Sequence, residues 1–145
     1  MANITKKEID ELVNNFLNKK LPRSRWTHQA HLIVGTAMYL RYGLEKGVDI
    51  MRHRVVQYNV SCGVENTLTS GYHETITVFY MIMISYKLRT VAGAFSEMGK
   101  YLHILNSELA KPGILGEFYS NSLLCSEAAR TNWVDPDLQQ LPHSL

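Results

Sequence analysis

The chain has 145 residues, of which 46% are hydrophobic and 19% charged, and its formal net charge is +2. That length and balance suit a single domain with a substantial core. They exclude the dense basic face on which nucleic-acid binding usually rests, and no run approaches the ~20 apolar residues needed to cross a bilayer.

The charge gradient is mild: residues 1–60 carry ten Lys/Arg against five Asp/Glu, and residues 61–145 carry five against eight. The N-terminus is polar, with no signal-like segment. Cys62 and Cys125 stand far apart and outside any CxxC, so free thiols and a cytoplasmic protein are expected.

In chain order, Thr5-Lys6-Lys7-Glu8 reads as a capping box that opens a helix. Ile9, Leu12, Val13, Phe16 and Leu17 supply its buried stripe, and Pro22 lies beyond its end. The second helix is expected from about His28 to Tyr42, with Ser24 or Thr27 as N-cap and Gly43 placed to close it. It is apolar almost all round, the pattern of a helix packed on several sides. A third is expected from Leu44 to about Val60, with Gly63 as a stop, followed by a loop of polar and glycine residues to Tyr72.

The segment from His73 to Val91 contains the β-branched run Ile76-Thr77-Val78 and could pass for a strand. Its length without Gly or Pro, and Lys87 and Arg89 near its end, favour a central helix. A fifth helix is expected over Phe95–Ala110 and a sixth over Leu115–Ala129, ahead of an extended tail from Trp133 to Leu145 that Trp133, Val134 and Leu138 pin in place. The predicted architecture is all-α: a single-domain helical bundle of five to six helices with an extended C-terminal tail.

Short connections make neighbouring helices antiparallel, so the second and fourth helices start at the same end of the bundle. His28, His31, His73 and Glu74 then share one neighbourhood. Three imidazoles and a carboxylate suit Zn or Fe, with His28, His31 and His73 as ligands and Glu74 as fourth ligand or general base. Tyr72 is a second candidate for proton transfer, while Trp26, Arg25 and Asn66 are candidates for ligand contact; Arg23 precedes the same helix. The motif is a weak one, since His28 and His31 are three apart and not four as in H-E-x-x-H, and adjacent His73 and Glu74 diverge by about 100°. The plain structural alternative has these histidines hydrogen-bonded to one another and to free backbone at the helix ends.

Three stretches, Trp26-Thr27-His28-Gln29-Ala30-His31-Leu32, Gly71 to Thr75, and Trp133 to Pro142, carry a resemblance. The chain resembles a set of small bacterial conserved hypothetical proteins that share WTHxAHL, GYHET and a PDLxxLP-like tail, over most of its length. The resemblance implies a single domain and marks the two histidine motifs; it implies no reaction. Two functional readings follow from the residues: a metal-dependent enzyme acting on a small molecule, and a non-enzymatic module that binds a small anion or other small molecule. No nucleic-acid or membrane partner is expected, and a homodimer is compatible with so many apolar helix faces on a short chain.

Overall fold

A computed structural model describes residues 3–142, and every regular element among them is helical. Helix α1 (Lys6–Leu17) begins with the capping box in place: the Thr5 hydroxyl accepts from the Glu8 amide, and the Glu8 carboxylate accepts from the Thr5 amide at 3.0 Å. Its stripe of Ile9, Leu12, Val13 and Phe16 is buried, a contribution of about 1.5–3 kcal/mol for each side chain taken out of water. Past Pro22 the chain makes a single 3₁₀ turn over Arg23–Arg25, and Thr27 caps the next helix by accepting from the Ala30 amide.

Helix α2 (His28–Ser61) is broken at Gly43, whose φ of 83° and ψ of −177° are non-helical. The break creates two arms, residues 28–42 and 44–61, which fold back on each other. A Cβ placed on Gly47 would lie 3.3 Å from the Met38 carbonyl oxygen, a contact no continuous straight helix allows between residues nine apart. The predicted second and third helices are these two arms.

Helix α3 (Glu74–Thr90) packs into the angle between them. Met81 is the wedge: its sulfur would lie 3.3 Å from a Cβ on Gly35 and its methyl group 3.1 Å from one on Gly47. The two small residues let α3 approach both arms at once. Burial of Leu32, Ile33, Val34, Ala37, Phe79, Met83 and Ile84 follows, which explains why both segments are apolar on nearly every side. No helix among the described residues is long and apolar enough to cross a membrane.

The C-terminal third departs from expectation. The fifth helix, expected to span Phe95–Ala110, is α4 (Glu97–Leu105), capped by Ser96 and followed by a separate 3₁₀ turn at Glu108–Ala110. The sixth, expected over Leu115–Ala129, is three short helices: α5 (Ile114–Phe118), α6 (Asn121–Leu124) and α7 (Glu127–Thr131). Ser120 and Ser126 cause the division, because each hydroxyl takes an N-cap position, accepting from the Leu123 and Ala129 amides respectively.

The tail is non-helical up to residue 142, and the rest of its expected course, including His143, lies outside the described residues. Trp133 and Val134 pack on the core, as does Leu141, but the Leu138 side chain is exposed. What fastens this segment is polar: Asp137 accepts from the Ser120 amide and hydroxyl at 2.8 and 2.6 Å, and Tyr119 donates to the Val134 carbonyl at 2.7 Å.

Candidate functional site

The first arm of α2 and helix α3 start at the same end of the molecule, and a cavity of about 610 Å³ opens there. The two arms of α2 and helix α3 form most of its wall, and each of these lining sets repeats at helical spacing. His28, His31, Leu32 and Gly35 come from the first arm; Met51, Val55 and Asn59 from the second; His73, Ile76, Thr77, Tyr80, Met81 and Ile84 from the start of α3. The polar groups sit where the helices begin and the apolar ones farther along, where Gly35 lets Met81 and Ile84 close the floor.

The loop between the arms and α3 is shaped by Asn66 and Gly71. Asn66 accepts from the Asn59 side chain at 3.0 Å and the Tyr72 amide at 2.9 Å, and donates to the Val56 carbonyl at 3.3 Å. It is a brace for the loop and is not among the residues that line the cavity, although the sequence leads to the expectation of a ligand contact there. Gly71 has φ of 79°, and any Cβ there would collide with the Glu65 carbonyl and with Asn66, so the start of GYHET requires glycine twice over.

Of the three histidines, two are latches. His28 Nε2 donates to the Leu109 carbonyl at 2.7 Å, and its ring meets Tyr80 edge-on with centroids 5.1 Å apart. His73 Nε2 donates to the Leu124 carbonyl at 2.8 Å, while its Nδ1 accepts from the Ile76 amide at 3.2 Å and so caps α3. Since a carbonyl can only accept, the tautomer of His73 is set and both of its nitrogens are taken. Burial pushes the His73 pKa down against the Leu124 carbonyl, which favours the protonated ring, and Arg130 adds to the depression.

His31 is different. It has no hydrogen-bond partner among the described residues, and it stands edge-on to Trp26 with ring centroids 4.0 Å apart. It is solvent-exposed and is one of the residues that line the cavity. The dense surroundings disfavour the imidazolium, and with His28 and Arg23 beside it the pKa falls toward about 4, a depression that the ring's exposure to solvent moderates. Trp26 is held for this contact by stacking on Phe16, centroids 4.4 Å apart and planes 14° from parallel.

Glu74 does not line the cavity. Its carboxylate takes a forked pair from Arg52, Nε to Oε1 at 3.0 Å and Nη2 to Oε2 at 2.7 Å, and accepts the Tyr72 hydroxyl at 2.6 Å. Burial alone would raise its pKa, but Arg52 and Tyr72 outweigh it and hold the carboxyl below its ordinary value. Burial and the bond to Glu74 push the Tyr72 phenol well up, and Tyr72, unlike Glu74, lines the cavity. Among the described residues no group of three or more His, Cys, Asp or Glu is placed to hold a metal. Of the expected set of His28, His31 and His73, His73 already uses both ring nitrogens in hydrogen bonds and has no lone pair left to give in this arrangement.

Arg23 and Arg25 are both exposed, and of the two only Arg23 lines the cavity. Thr77 and Tyr80 are lining residues that sequence reasoning missed, although they fall four and seven positions after His73 and periodicity on α3 would have found them. Arg130 closes the outside of the loop, donating to the Gly71 and Tyr72 carbonyls at 2.9 and 3.3 Å. No protein-family model matches the chain, and no curated protein or solved structure is significantly similar to it.

Proposed function

We propose that this protein is a binding module for one small organic molecule, held in the cavity where α2 and α3 begin. The observation that carries this is the cavity's polarity: unpartnered His31 and the Arg23 side chain at the mouth, and a floor of Leu32, Val55, Met81 and Ile84. A volume of about 610 Å³ lies within the range typical of small-molecule sites, which are mostly apolar with a few placed polar groups. The metal-dependent alternative has less support, because the donors it needs are tied to backbone carbonyls and to Arg52.

The test is titration with 2-naphthamide, a neutral probe small enough for the cavity, read by calorimetry and by fluorescence of Trp26, one of two tryptophans in the chain. Saturable binding should raise the melting temperature, because a ligand stabilises the state it binds. Val55→Phe and Thr77→Phe each fill the cavity from a different wall and should weaken binding at least tenfold while the helical circular dichroism is kept. Binding that is indifferent to both substitutions would sink the proposal.

A further inference from the structure

Resting on the binding role proposed above, we infer that the molecule this cavity takes is a monocarboxylate with an apolar body, its carboxylate held at the mouth by Arg23 and His31.

Three features of the mouth point the same way. First, the lining contains one permanent cation, Arg23, and among the described residues no Asp or Glu. Second, that cation is unmatched. Arg23 is exposed and, like most of the arginines, has no carboxylate within ion-pair distance among the described residues, so its guanidinium is available at the cavity it lines. Third, His31 has no hydrogen-bond partner, and Arg23 lies near enough to oppose its protonation, so a neutral imidazole with an N–H to donate stands beside the guanidinium. Two helices also start here, and their N-termini add positive potential.

The rest of the cavity fixes the remainder of the molecule. Past Thr77 the lining has no second cation and, on α3, only the Tyr80 hydroxyl as a polar group, and taking an ion out of water without a charged partner is strongly unfavourable. The charged group therefore stays at the mouth and the apolar body runs inward over Leu32, Met81 and Ile84. One guanidinium fork matches one carboxylate; a dianion would leave a charge uncompensated. A cationic ligand would meet Arg23 with nothing to offset it.

Calorimetric titration of the full chain at pH 7.5 with 2-naphthoate and with 2-naphthamide, which share a ring system and differ in charge, tests this. The acid should bind at least tenfold more tightly than the amide. Arg23→Gln should bring the two within twofold of each other, Arg25→Gln should leave the preference intact, and raising sodium chloride from 20 to 300 mM should weaken only the acid. Equal affinity for acid and amide, or a preference that survives Arg23→Gln, overturns the carboxylate while leaving the binding role standing. Failure of both probes to bind overturns both.

Discussion

At the start of α3, His73 has both ring nitrogens in use, one capping the helix and the other holding the Leu124 carbonyl. One turn into α2, His31 faces the same cavity with neither nitrogen in use among the described residues. The residue type is the same and the two rings line one cavity, yet one is tied into the structure through both nitrogens and the other through neither. What separates them is supply of backbone: the segment from Glu108 to Thr131 lays its carbonyls against His28 and His73 and does not reach His31. A histidine near a helix start is thus assigned its role by a distant part of the chain.

The comparison breaks most visibly at His73. Replacing it with alanine leaves the Ile76 amide uncapped and the Leu124 carbonyl unpaired in a buried setting, a loss of roughly 2–3 kcal/mol. His73→Asn restores a capping acceptor but not the reach to Leu124, so about 1 kcal/mol should return. Urea unfolding measures both. An alanine variant as stable as the parent would mean that the latch carries no weight.

The scaffold of the site was legible because it rests on local rules. The capping box at Thr5, the break at Gly43 and the loop ending in Gly71 each follow from one or two residues, and the order of short connections then brings His28, His31 and His73 to one end. The roles within the site were not legible. The carbonyls that occupy His28 and His73 come from residues 81 and 51 positions away, and a backbone carbonyl leaves no mark in a sequence. The same holds for Glu74, whose partner Arg52 lies 22 residues back on the second arm. Arg23 and Arg25 were separable only through the tight 3₁₀ turn between them, where residues two apart point to different sides. The helix expected over Leu115–Ala129 failed because two serine caps outweigh a weak apolar pattern.

A smaller effect is expected on the opposite side of α3. Glu74→Gln removes the charge that Arg52 grips but keeps an acceptor for Tyr72. Arg52 also keeps Asp49 at 3.1 Å, and its side chain is 39% exposed. The cost should be about 1 kcal/mol, discounted for solvent screening, with probe binding unchanged because the pair stands outside the cavity. Lost binding with kept stability would return Glu74 to the site.

The finest distinction is pH. For His31 the folded pKa of about 4 lies below the ordinary 6.5, so between those values the unfolded chain holds a proton that the native protein does not. Stability therefore rises with pH across that window, is fully present above about 6.5, and is lost as pH falls toward 4. His73 is depressed in the same direction and adds to the slope. His31 is solvent-exposed, which reduces the effect, and the share removed by His31→Gln should be on the order of 3 °C in the fall of melting temperature between pH 7 and pH 4.5. At pH 7.5 the same variant should melt within a degree or so of the parent, since its ring makes no hydrogen bond to lose, while 2-naphthoate affinity falls severalfold. Scanning calorimetry at the two pH values, with and without the probe, separates the outcomes. A variant destabilised as much as His73→Ala at pH 7.5 would show that His31 is a second latch and not the free member of the pair.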